Sequence, residues 1–269
     1  MNVRIGTDQL DAEVLTDGGC IASIRARGRE LLLRTPWAGL DDGPPMAGSV
    51  AEWHRRYRGG WHLLLPRPLG PAVVGGIAQP FHGEAAWRRW RLERTSTTAC
   101  RAQVLLRTVP LAVDRTVEIL VDDVRVTTTV QNTGPTEVRL GWAEHPSFDA
   151  AIFDGGHVEL DGAKVAIVPL GAGAFQDRPV ETGHALVHGS DGLSVELCWD
   201  AAVLGRAYVW QERRATPDFP WYAAADALAV EPASQPHDHP EDDLGTLTLA
   251  PGAARTVTIT LTIHNGLAA

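Results

Sequence analysis

The chain has 269 residues, 44% hydrophobic and 21% charged, a composition that excludes a disordered chain and a fibrous one. Its net charge of −9 carries the wrong sign for a phosphate-backbone binder, so no nucleic-acid partner is expected. Cys20, Cys100 and Cys198 are odd in number and follow no CxxC spacing, and no long apolar run or leader-like segment is visible. The chain is therefore expected to be cytoplasmic, without disulfides and without a membrane span. At this length one domain spanning 1–269 is a reasonable organisation, because large β-sandwiches reach this size as single units.

In chain order, short β-type runs are predicted at Val3–Ile5, Glu13–Leu15, Ile21–Arg25 and Glu30–Leu33. Two Gly/Pro-rich stretches follow, Trp37 to Met46 and Pro66 to Pro80, and both read as long loops. Ala102–Arg107 precedes a pair, Thr116 to Val121 and Val124 to Val130, joined at Asp122-Asp123 in hairpin style. Glu137 to Trp142, Val158–Leu160, Ser194–Trp199, Ala207–Trp210 and Leu228–Val230 continue the series. The clearest strand is near the C-terminus, where Val257, Ile259, Leu261 and Ile263 alternate with four threonines, Thr256 to Thr262. Convincing amphipathic helices are absent. Many short strands punctuated by turns predict an all-β fold, a sandwich or barrel.

Three strings each set a titratable residue at a strand end or loop. They are Phe81-His82-Gly83-Glu84, Glu144-His145-Pro146-Ser147-Phe148 and Val230-Glu231-Pro232-Ala233. Two imidazoles and one carboxylate form a workable acid–base set near neutral pH. The composition adds nine Trp and basic residues that are almost all Arg, with Lys164 the sole lysine. Indole faces suit the C–H faces of sugar rings, and guanidinium forks suit anionic substituents.

In this order and in a β context, with Gly59-Gly60-Trp61-His62-Leu63-Leu64-Leu65-Pro66 upstream, the strings resemble the aldose 1-epimerase (galactose mutarotase-like) superfamily. The resemblance implies a large antiparallel β-sandwich with a small-molecule sugar bound across one curved sheet. It implies interconversion of the α and β anomers of a hexose or hexose derivative by ring opening. Glu231 would be the general base, His145 the general acid, and His82 would hold the ring oxygen or a neighbouring hydroxyl. No cofactor or metal is needed. Arg67, flanked by Pro66 and Pro68 rather than preceded by Asn, is carried over as a substrate contact; the residue gripping sugar hydroxyls has no clear match, with Asp177 and Asp200 as the two candidates. The stretch Tyr208-Val209-Trp210-Gln211-Glu212 suggests Trp210 as a platform under the sugar, with Gln211 or Glu212 reading hydroxyls. A monomer or homodimer is expected.

Other readings stand beside this one. The same fold could bind a carbohydrate without turnover. His237-Asp238-His239, with Glu241, Asp242 and Asp243, has a His-x-His metal-ligand spacing, although a solvated acidic loop accounts for it as well. His54-Arg55-Arg56-Tyr57-Arg58 and Arg88-Arg89 could take an anionic sugar.

Overall fold

A computed structural model describes residues 2–38, 49–190 and 192–265. Most of the predicted Trp37 to Met46 loop thus lies outside the described residues. Two nine-stranded antiparallel sheets dominate. The first runs, edge to edge, through Val3–Gly6, Leu10–Val14, Ile21–Ala26, Gly60–Leu64, Ala143–Asp149, Asp226–Ala233, Arg206–Arg213 and Gly173–Pro179, with Arg29–Glu30 added to Ile21–Ala26. The second runs through Ala163–Ala166, His157–Leu160, His184–His188, Leu193–Cys198, Ala254–Asn265, Asp123–Asn132, Leu111–Ile119, Ala99–Leu105 and Arg91–Arg94. This is the expected antiparallel sandwich. Among the described residues, no helix is long and apolar enough to cross a membrane.

The second sheet shows why its strands were legible. Leu111–Ile119 is buried at every alternate residue, and Ala254–Asn265 buries Val257, Ile259, Leu261 and Ile263. Its threonines face outward and pair across strands, Thr127 with Thr258 at 3.0 Å and Thr129 with Thr256 at 2.8 Å. The first sheet is covered on both faces. Asp226–Ala233 is buried at all eight positions, so no alternation survives in its sequence.

Between the sheets the apolar core is crossed by a buried ion pair. Arg115, on the core face of Leu111–Ile119, sends both terminal nitrogens to Glu144 of Ala143–Asp149, at 2.7 and 2.9 Å. Trp61 Nε1 donates to the same carboxylate at 2.7 Å, and Thr128 Oγ1 accepts from Arg115 at 2.8 Å. Both ionic side chains are 1% exposed or less. A second tie comes from Glu84, whose carboxylate accepts from Arg107 N, Thr108 N and Thr108 Oγ1 at 2.7, 2.7 and 2.9 Å.

Several sequence expectations are corrected here. The Pro66 to Pro80 loop contains a small hairpin, Ala72–Val74 with Ile77–Gln79. A seven-residue helix, Val50–Arg56, capped by Ser49 Oγ accepting from Glu52 N, is too short to show helical periodicity. Beyond Glu30, Leu31 to Leu33 leave the strand, and Leu32 makes only an isolated bridge with Phe148.

Removing one partner of the inter-sheet ion pair strands the other charge in the core. Arg115→Met is expected to lower the unfolding free energy by about 3–5 kcal/mol, read from urea denaturation midpoints. Arg101→Met, at the exposed pair with Asp114, should barely move the midpoint.

Candidate active site

Strand alternation decides which side chains meet. In Ala143–Asp149, Glu144 points into the core, so His145 and Ser147 point to the opposite face of the first sheet. In Asp226–Ala233, Leu228 and Val230 join the core, leaving Ala227, Ala229, Glu231 and Ala233 on the His145 side. In Arg206–Arg213, Tyr208 and Trp210 share that side. Glu231 is thus the long side chain of an otherwise alanine-lined strand face, and the space beside it is a cavity of about 200 Å³.

His145 Nε2 lies 3.4 Å from Glu231 Oε1. His145 Nδ1 is 3.0 Å from Ser147 Oγ, which in turn accepts from Tyr57 OH at 2.6 Å. When His145 is doubly protonated, Ser147 Oγ can accept a hydrogen bond from Nδ1–H, leaving Nε2–H directed at the cavity. His82 lines the same cavity, its ring centroid 5.8 Å from that of His145. Its backbone is left-handed, φ 64°, and Gly83 follows at φ 79°, where a Cβ would sit 2.3 Å from Leu65 O. That close approach requires glycine at 83 and sets His82 at the tip of a tight turn, a strained conformation of the kind found at functional sites. His82 Nδ1 is 2.7 Å from Pro68 O. A carbonyl only accepts, so Nδ1 carries the proton and Nε2 keeps a lone pair.

Aromatic residues wall the cavity. Trp53, Tyr57, Phe81, Tyr208, Trp210 and Trp221 surround the polar trio. Trp210 stands 6.0 Å from His145 and 5.8 Å from Trp221, centroid to centroid. Trp53 comes from the short helix, and Trp221 from the loop after Arg206–Arg213.

Burial sets the protonation states. Desolvation pushes Glu231 up to about 8. It pushes His145 down to about 3, with the neighbouring His62 adding to the effect. His82 is driven well below the ordinary histidine range by burial and then by His145. Between these limits the Glu231–His145 pair holds one proton.

The remaining sequence-derived residues lie outside the cavity lining. Gln211 faces the other side of its strand from Trp210, and its amide bonds Ala166 O and Val168 N at 3.0 and 2.9 Å. Glu212 accepts from Ala215 N, Thr216 N and Thr216 Oγ1, so its carboxylate organises a turn. Arg67 is 2% exposed, and its Nη1 reaches Asp243 O at 3.3 Å. Asp177 pairs with Arg206 at 2.7 Å and accepts from His237 N at 2.8 Å. None of these four has a side chain aimed at the Glu231–His145 pair; Asp177 instead positions His237, whose ring lines the cavity against Phe175 at 4.5 Å.

The His-x-His reading is also corrected. His237 faces the cavity, while His239 Nε2 lies 3.2 Å from Asp243 Oδ2, so the two imidazoles serve different neighbours. Sequence reasoning missed Tyr57, Trp53, Tyr208 and Trp221 as cavity residues. Only Tyr208 carried a usable signal, its i, i+2 relation to Trp210 on one strand.

Comparison with solved structures gives the fold a context. A galactose mutarotase related enzyme from Lactobacillus acidophilus superposes with a TM-score of 0.72 at 13% identity, covering 99% of this chain and 98% of that one. A galactose mutarotase-like protein from Lactobacillus casei gives 0.73 at 15%, covering 98% and 100%. An aldose epimerase homologue from C. elegans gives 0.68 at 14%, covering 98% and 99%. No protein-family model matches the sequence, and no curated protein does. The fold of this chain is the galactose mutarotase-like β-sandwich.

The raised Glu231 carboxyl makes stability depend on pH. Its folded value, about 8, exceeds its ordinary 4.5, so its stabilising contribution is full below 4.5 and is lost as pH rises to 8. Glu231→Gln has no such loss. In urea denaturation series at pH 5, 7 and 8.5, the stability of Glu231→Gln relative to wild type is expected to rise with pH and level off above 8.

Proposed function

We propose that the protein is an aldose 1-epimerase acting on a hexose or hexose derivative, with Glu231 and His145 as its proton-transfer pair and His82 as a substrate anchor. The observation that carries this reading is the 3.4 Å approach of His145 Nε2 to Glu231 Oε1 at the floor of an aromatic-walled cavity, beside His82. An indole wall stacks on pyranose C–H faces, while the trio meets the hydroxyls.

Ring opening needs a base at the anomeric hydroxyl and an acid at the ring oxygen. Glu231 as carboxylate takes the hydroxyl proton, and His145 as imidazolium gives its Nε2 proton to the ring oxygen as the C1–O5 bond breaks. Rotation about C1–C2 and reclosure with the roles reversed yield the other anomer and restore both groups. The empty cavity favours the neutral pair, with the proton on Glu231. The working pair holds the same single proton, moved to His145, so no proton is drawn from solvent. Hydrogen bonds from a bound sugar stabilise the charged forms. Each positioned proton transfer contributes about 10²–10⁴-fold.

The tautomer of His82 refines its part. With Nδ1–H committed to Pro68 O, Nε2 can accept but not donate, so it suits a sugar hydroxyl and not the ring oxygen, itself an acceptor. Trp210 serves as the platform. Arg67 and Asp177 act behind the cavity walls, and Gln211 and Glu212 are not assigned sugar contacts.

Saturation-transfer NMR on a panel of aldoses at anomeric equilibrium tests the reading. Exchange of magnetisation between α and β anomeric protons is expected with wild type, and its loss with Glu231→Gln and His145→Asn, sugar binding being retained. His82→Asn should weaken binding and turnover together. Binding without exchange for every sugar would replace the epimerase with a carbohydrate-binding protein on the same fold. For the active sugar, kcat/KM should fall as pH rises through about 8, where the pair loses its shared proton.

A further inference from the structure

A second cavity, of about 400 Å³, lies beside the first on the same face of the first sheet, and Trp53 and Tyr57 line both. Its floor includes Cys20, Ala22 and His62. Its far side is made where the 15–20 loop lies against the segment 86–90, with Gly18 N donating to Arg88 O at 2.8 Å and Trp90 N to Thr16 O at 2.7 Å. Gly18 (φ 69°) permits this contact, since a Cβ there would stand 2.7 Å from Ala86 O. The enclosure is therefore built by specific backbone geometry, and its volume falls within the range of small-molecule sites.

Its chemistry differs from that of the first cavity. Arg56, Arg58 and Arg89 line it, and Asp17 is the one carboxylate among the described lining residues. Glu52 Oε1 lies 3.8 Å from Arg56 and offsets part of that charge. The other titratable groups are neutral. Burial pushes the Cys20 thiol up to about 12 and holds His62 down at about 4. His62 Nε2 contacts Gly59 O at 3.0 Å and Cys20 Sγ at 3.5 Å. A chain of net charge −9 thus gathers three guanidiniums around one concave space, walled by Trp53 and Trp87. Guanidinium forks match carboxylate and phosphate oxygens, and indole walls accept a ring.

We propose that this second cavity binds a small organic anion of about monosaccharide size, carrying a carboxylate or a phosphate, at a site separate from the Glu231–His145 cavity. The inference does not depend on epimerase turnover, and its test is a binding measurement. Calorimetric titration with glucuronate and with inorganic phosphate, with glucose as the neutral control, is carried out on wild type, Arg89→Gln, the Arg58→Gln/Arg89→Gln double variant and His82→Asn. Arg89 is on the surface, so its variant is the least disturbing to the fold, and near-UV circular dichroism checks each protein. Anion affinity should drop about tenfold in Arg89→Gln and further in the double variant, from the loss of charge-assisted hydrogen bonds. His82→Asn, which weakens binding in the first cavity, should bind the anions as wild type does, and saturating glucose should not displace them. Glucuronate alone binding identifies the carboxylate form, and phosphate alone the phosphoryl form. Binding of neither anion, affinity indifferent to both arginine variants, or loss of binding in His82→Asn overturns the proposal.

Discussion

The buried Glu144–Arg115 pair is the constraint on which the rest of the molecule depends. It crosses the interior from a central strand of one sheet to an inner strand of the other, and the indole of Trp61 completes the carboxylate's partners. Such a pair adds little net stability over an apolar filling, because desolvation offsets its Coulomb attraction. What it imposes is register. A one-residue slip of Ala143–Asp149 would turn Glu144 into the cavity and His145 into the apolar interior, where neither finds a partner. The orientation of the histidine is thus set by the charge of its neighbour in sequence.

The face that results is economical in side chains. Ala227, Ala229 and Ala233 leave space along one strand, so Glu231 meets little but His145 and the open cavity. Burial beneath the aromatic walls moves the proton affinities of both groups in opposite directions, toward the neutral forms. Bulk is supplied instead from outside the sheet, by Trp53 on the short helix and by Trp221 on a loop. Packing and proton affinity at this site therefore share one cause, the pairing of a small-residue strand with large residues that arrive from the connections.

Legibility in the sequence followed exposure. Ala254–Asn265 and the hairpin Leu111–Ile119/Asp123–Asn132 have one face toward solvent, so their alternation is plain. Gly60–Leu64 and Ala143–Asp149, buried on both faces, carry Trp, His, Glu and Pro in no simple period, and the sequence reading took them as motifs and not as strands. Glu231, His145 and His82 could be singled out because each stands in a short string whose order matters. Tyr57 and Trp221 could not, because long-range packing brings them to the cavity. Gln211 shows a signal present and not used. Period-two geometry alone puts it on the opposite face from Trp210, so the two could not both touch one sugar.

The mounting of His82 differs from that of its partners. Glu231 and His145 ride on the first sheet, but the turn holding His82 leads directly to Glu84, whose carboxylate is fastened to the backbone of Arg107 and Thr108, just beyond a strand of the second sheet. The turn is also tied to the segment that follows Gly60–Leu64, His82 N donating to Leu69 O and Ala85 N to Leu65 O at 2.9 Å each, so the third member of the trio is held from both sheets. A partly assembled chain with the first sheet formed would hold the Glu231–His145 pair with the His82 turn fastened on one side only. A lesion at Arg107 or Thr108, far along the chain from the Glu231–His145 pair, would therefore reach the third member of the trio through Glu84.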